Sequence, residues 1–233
     1  MLVSALVPLT GLAISLPILV LLCGLLAAFF SHLAGLARWW LVIQLGFVPG
    51  LLGMLMLNIP PAYYLCAFLC LVLVYWSTFR TQVPLYLSSK QVWHALQGLM
   101  PPAEFSFIDL GSGLGGVLTH LASARPDGHY SGIESAPLPL WLSWLRIKFG
   151  GYRNCKVYWG SIWDQSLCNL ANYDVVYAYL SPVPMARLWH KARAEMRPGT
   201  LFISSTFEVP EQQPQLKIEV TDLHHSTLLV WRM

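Results

Sequence analysis

Charge is confined to one end of this chain. Of its 14 Lys and Arg and 11 Asp and Glu residues, Arg38 alone precedes position 80. A soluble domain needs charged side chains to cover its surface, and roughly a quarter of its residues supply them. A stretch this long with one charge has nothing to present to water, so its solvent is expected to be lipid. The chain therefore reads as a transmembrane region over residues 1–80 and a globular domain over residues 81–233.

Three apolar runs fill the first region. Residues 11–30 hold twelve Leu, Ile, Val or Phe, enough for bilayer insertion, and about 20 residues at 1.5 Å each span a hydrocarbon core of about 30 Å. The ten residues before this run carry no Lys or Arg, and the run is long for a signal peptide, so it is expected to stay attached. A second run, 39–57, and a third, 62–79, are separated by Asn58-Ile59-Pro60-Pro61, which cannot continue a helix. Pro49-Gly50 is expected to kink the second run, with Gly46 and Gly50 at a helix-packing spacing. The positive-inside rule, applied to Arg38 and Arg80, puts the globular domain in the cytoplasm and the first residue across the membrane.

From residue 80 onward 13 basic residues face 11 acidic ones, too even a balance for a nucleic-acid surface. The five cysteines have no framework spacing and read as reduced thiols. No paired cysteine motif or histidine cluster exists, so no metal site is expected.

The chemistry enters at residues 105–124. A short helix (89–100) and a Pro-Pro break lead to a buried strand (105–110), which runs into Gly111-Ser112-Gly113-Leu114-Gly115-Gly116 and then a helix (117–124). Strand, glycine loop and helix in this order form the cofactor-binding half of a doubly wound α/β sheet. Gly111, Gly113 and Gly116 satisfy the dinucleotide fingerprint; Gly111, Gly113 and Gly115 satisfy that of S-adenosylmethionine binders. Asp109 separates the two, because a carboxylate beside the loop suits an ammonium and a sulfonium and repels a pyrophosphate.

A second strand (129–133) ends in Glu134, placed to accept both ribose hydroxyls. A third (156–159) leads to Gly160-Ser161-Ile162-Trp163-Asp164. Ser161 and Asp164 can bond an adenine there and Ile162 or Trp163 can pack on its face, although Trp163 equally suits a plain core position. A fourth strand (173–180) opens into Ser181-Pro182, and a helix (185–196), a fifth strand (200–206) and a closing hairpin (216–220, 227–231) complete the pattern. The helix after Glu134 is apolar on most of its circumference and is followed by Arg146, Lys148, Arg153 and Lys156. It is either sandwiched between neighbours or laid against lipid.

With the DLGSGLGG run, an acidic end to strand two and a terminal hairpin, the globular part resembles a class I S-adenosylmethionine-dependent methyltransferase with a Rossmann-like seven-stranded sheet. Val83-Pro84-Leu85-Tyr86, GSIWD at 160–164, YDVVYAYLSP at 173–182 and RPGTLFISSTFEVP at 197–210 are similar to the membrane-anchored lysine methyltransferases of the ATP synthase c subunit and the adenine nucleotide translocase. That branch usually has Asp and Arg where this chain has Leu114 and Gly116, and one apolar anchor where this chain has three. The resemblance implies S-adenosylmethionine as cofactor and a lysine of a membrane protein as methyl acceptor. A lipid or quinone methyltransferase and a non-catalytic assembly protein are the alternatives. No Asp or Asn precedes Pro182, so the amide and adenine-amine site is missing. Tyr179 and Ser181, with Tyr86 from the preceding segment, are the expected acceptor residues.

Overall fold

A computed structural model describes residues 15–76, 78 and 82–233. Arg80 and the first residues of the chain, on which the membrane orientation rests, lie outside them. The chain divides into two compact units at Cys66/Ala67.

In the first unit, helix α1 (Leu16–Leu33) packs on α2 (Trp39–Met56). Pro17 sits in the first turn of α1, where its missing N–H and fixed φ suit a helix start. The buried residues of α1 are Gly24, Ala28 and Ser31, a small-residue stripe on one helix face. A Cβ on Gly24 would lie 3.3 Å from the backbone of Leu45, so this glycine permits the close approach. Gly46 and Gly50, the pair singled out from spacing, face open space among the described residues. Helix α2 continues through Pro49.

Both helices have 18 residues and are apolar enough to cross a membrane; at 1.5 Å per residue each is about 27 Å long. The third apolar run behaves differently. Helix α3 (Pro61–Val74) has 14 residues, about 21 Å, and the chain bends at Tyr75-Trp76. Helix α3 itself ends before that bend.

The second unit carries a seven-stranded sheet in the order β3-β2-β1-β4-β5-β7-β6. Its strands are β1 (Ser106–Leu110), β2 (His129–Glu134), β3 (Cys155–Trp159), β4 (Val175–Ala178), β5 (Leu201–Ser205), β6 (Leu216–Glu219) and β7 (Thr227–Arg232). Strands β1 to β5 are parallel, and β7 enters antiparallel between β5 and β6. The helices are α4 (Lys90–Gln97), α5 (Gly116–Ala124), α6 (Pro137–Gly150) and α7 (Met185–Glu195). Ser89 caps α4, accepting from Val92 N at 3.2 Å and donating to Asp222 at 2.6 Å.

Strand alternation sorts the core into two layers. Phe107, Tyr130 and Tyr177 face Val92, Leu96, Leu118 and Leu121, whereas Ile108, Leu110, Val176 and Phe202 face Met185, Leu188 and Ala192. Asp109, two residues after Phe107, points into the first layer beside Tyr177, its register partner. The sheet order reverses at β1, with β2 on one side and β4 on the other, and the crevice beyond their carboxyl ends is where such a sheet holds ligands.

Candidate functional site

The loop from β1 to α5 is shaped by three left-handed residues. Gly111, Gly113 and Gly115 have φ of +84°, +52° and +69°, which other side chains rarely adopt. Gly116 has ordinary helical backbone and is small for another reason: a Cβ there would fall 2.6 Å from Trp93 Cζ2 and 3.2 Å from Arg146 Nη1. Gly115 is tight as well, since its Cβ would press on Ser143 of α6, 3.1 Å from that residue's own Cβ. The loop is fastened to β2 by Gly111 N and Ser112 N, both donating to Ile133 O at 2.9 Å.

Glu134 completes the fastening. Its Oε2 accepts from Gly113 N, and its Oε1 accepts from Ser135 N and Ala136 N, each at 2.8 Å. The carboxylate thus holds the glycine loop on one side and the start of α6 on the other. Asp109 is buried (3 % exposed) and forms no ion pair among the described residues. Burial first, and the charge of Glu134 second, push its carboxyl up to about 8.

A trough in two adjoining parts runs past these groups. Glu134, Ser161, Ile162 and Trp163 line one part. Asp109, Ser112 and Tyr177 line the other. Tyr86, Gly111 and Tyr179 line both parts and mark the junction. There Tyr86 stacks on Tyr179 with ring centroids 5.2 Å apart, and Phe207 closes a three-ring cluster. Trp163 faces the trough while Arg187 covers its ring at 4.0 Å. Gly113 and Gly115 contribute through backbone shape alone. Ser181 is buried and lines neither part, so the wall at the junction is built by the two tyrosines.

Sequence reading missed Arg146 and Trp93. Both line the Asp109 part, and Trp93 is held there by its Nε1 donating to Ser88 Oγ at 2.8 Å. They occupy the space that a side chain at position 116 would need. The departure at Gly116 was the available signal, but nothing local said which distant residues would fill the gap.

A family model described as the ANTKMT methyltransferase domain matches residues 109–216, a span from Asp109 to the start of β6. Over that span the globular unit is similar to the ANTKMT methyltransferase domain. Among solved structures, an RNA methyltransferase from Salinibacter ruber in complex with S-adenosyl-L-homocysteine is 23% identical, with a TM-score of 0.57, covering 63% of this chain and 93% of that one. A precorrin-6y C5,15-methyltransferase from Geobacter metallireducens is 12% identical, with a TM-score of 0.50 and coverages of 63% and 90%. These two share the fold. Among curated proteins none matches the chain in sequence.

The cofactor of this family, S-adenosylmethionine, fits the residues of the methyltransferase trough. Asp109 and Glu134 present two carboxyl groups with no Lys or Arg bonded to either among the described residues, and the ionised form of Asp109 is favoured by a cationic ligand. Ser112 Oγ is buried without a hydrogen-bond partner among the described residues, and a buried hydroxyl of that kind calls for a polar ligand atom.

Proposed function

We propose that this chain is an integral-membrane methyltransferase that transfers the methyl group of S-adenosylmethionine to a lysine side chain of a membrane or membrane-proximal protein. The observation that carries the reading is the stacked Tyr86–Tyr179 pair at the junction of the two trough parts. Bound cofactor supplies an electrophilic methyl on a sulfonium, and the chain supplies position. Glu134 and the 161–163 segment hold the nucleoside end, and Asp109 with Ser112 holds the amino-acid end. That brings the sulfonium to the junction, in front of the tyrosines.

Displacement at the methyl carbon needs the acceptor roughly 3–3.5 Å away and in line. A lysine amine must also be neutral, which costs about 4.6 kcal/mol at pH 7 from its reference value. Burial holds the Tyr179 phenol above its ordinary value, so at neutral pH it is an uncharged hydroxyl that orients an amine and takes no proton from it. Aromatic walls exclude water and disfavour the ammonium form next to a cationic cofactor. On this reading Tyr179→Phe lowers kcat about tenfold and leaves the affinity for S-adenosylhomocysteine unchanged. Single-turnover methylation together with calorimetry checks both halves.

Arg146 is the one basic side chain among the residues lining the Asp109 part, and it suits the carboxylate of the cofactor's methionine. Arg146→Gln is expected to weaken S-adenosylhomocysteine about tenfold and to leave methylthioadenosine, which has no such carboxylate, unaffected. Equal losses for the two ligands would overturn this role.

Helices α1 and α2 support the membrane placement by length and composition. The cytoplasmic placement of the globular unit rests on the supply of cofactor there, because the arginine count requires a third crossing and α3 is short for one. Incubating membranes with methyl-labelled cofactor tests the acceptor. Label recovered as methyllysine in protein supports the proposal, and label in the lipid extract favours the lipid or quinone reading.

A further inference from the structure

The outward side of α6 and the edge strand β3 carry an apolar surface that the trough does not use. Only Pro139, Ser143 and Ile147 of α6 are buried, a single row of every fourth residue. The rest of the helix offers Trp141, Leu142, Trp144 and Phe149 to the outside at 55, 40, 45 and 82 % exposure. A surface helix ordinarily reverses this pattern. Beside it β3, an edge of the sheet, exposes Tyr158 and Trp159 at 37 and 65 %.

The charge around this surface has one sign. From Ser135 to Trp163 there is no Asp or Glu, whereas Lys148, Arg153 and Lys156 are present besides Arg146 of the trough. Lys148 Nζ lies 4.6 Å over the Trp144 ring, so a cation and an indole share one spot.

We infer that α6 and β3 dock on the head-group layer of an anionic membrane, with Trp141, Trp144 and Phe149 entering the interface and Lys148, Arg153 and Lys156 meeting lipid phosphates. Indoles prefer that layer because one end is apolar and the other donates a hydrogen bond. Lysine is depleted from protein–protein interfaces and attracted to anionic head groups, and this decides between a lipid surface and a protein partner. Helix α6 begins one residue after Ala136 on the trough wall, so docking sets the trough at the bilayer surface. The inference is independent of what the methyl acceptor is.

The full chain, reconstituted into phosphatidylcholine bilayers with and without phosphatidylglycerol, and carrying a photoactivatable lipid, tests this. Lipid adducts on residues 141–149 are expected, several-fold more abundant with the anionic lipid. The triple variant Lys148→Glu, Arg153→Glu, Lys156→Glu should remove the anionic excess, and Trp141→Ser with Phe149→Ser should remove the adducts. Unchanged affinity for S-adenosylhomocysteine shows that the variants fold. Adducts on α1 and α2 with none on α6 would overturn the docking and leave the spans standing. Equal labelling in the two bilayers, or cross-links from this face to a second copy, would overturn it also.

Discussion

Affinity for S-adenosylmethionine is expected to rise up to tenfold per pH unit from about pH 6 to about pH 8, and then to level off. The cause is Asp109, whose carboxyl is held up to about 8 in the ligand-free protein and therefore carries a proton at neutral pH. A cationic ligand favours the ionised form, so binding expels that proton. Below about 8 the expulsion opposes binding, and above it there is no proton left to expel. Calorimetry in two buffers of different ionisation enthalpy at pH 7 should count close to one proton released, and Asp109→Asn should abolish both the release and the slope. Binding that is flat with pH in the wild type would refute the assignment.

The same group acts on stability with the opposite sign. Its unfolded value is near 3.8 and its folded value near 8, so the folded state binds the proton more tightly. Stability of the ligand-free protein therefore falls as pH rises between those values and is lowest above the upper one. Asp109→Asn is expected to raise the melting temperature at pH 8 by several degrees while it weakens the cofactor. This is the trade between stability and function that a buried site charge imposes.

The second large effect belongs to Glu134. Glu134→Gln puts an amide where both carboxylate oxygens accept backbone N–H groups from Gly113, Ser135 and Ala136. One end of the amide becomes a donor facing donors. Each hydrogen bond to a charged group contributes about 1.5–3 kcal/mol, and the proposed ribose contact would depend on the same atoms. We expect about a hundredfold loss of S-adenosylhomocysteine affinity and a lower melting temperature. The proton released on binding should also diminish, because the Glu134 charge helps to hold the proton on Asp109. Affinity within about threefold of wild type would show that the carboxylate matters to the loop alone.

The glycine loop, Asp109 and Glu134 were legible in the sequence because their chemistry is local. A tight turn needs glycine within a few residues, and a carboxylate at the end of a strand stays at the end of a strand. Element order was legible for a similar reason: strands such as β1 and β4 lie in short, largely apolar runs bounded by turn residues, and parallel pairing follows from the helices between strands. Arg146 and Trp93 were not legible, since they reach the loop from α6 and α4 and no spacing rule connects them to Gly116. Ser181 was placed on the acceptor wall by its position after β4, but whether a strand-end side chain faces a crevice depends on backbone direction at that residue. For α3, apolar composition suggested a full span up to residue 79, yet composition carries no instruction about the bend at Tyr75-Trp76.

Ser143 ties two of these findings together. It is fully buried, on the row of α6 opposite the exposed tryptophans, and it rests against Gly115 with no side chain between them. Nothing compressible separates the outer helix from the first turn of α5. A small roll of α6 would therefore press directly on Gly115, so whatever surface that helix touches would bear on the shape of the glycine loop.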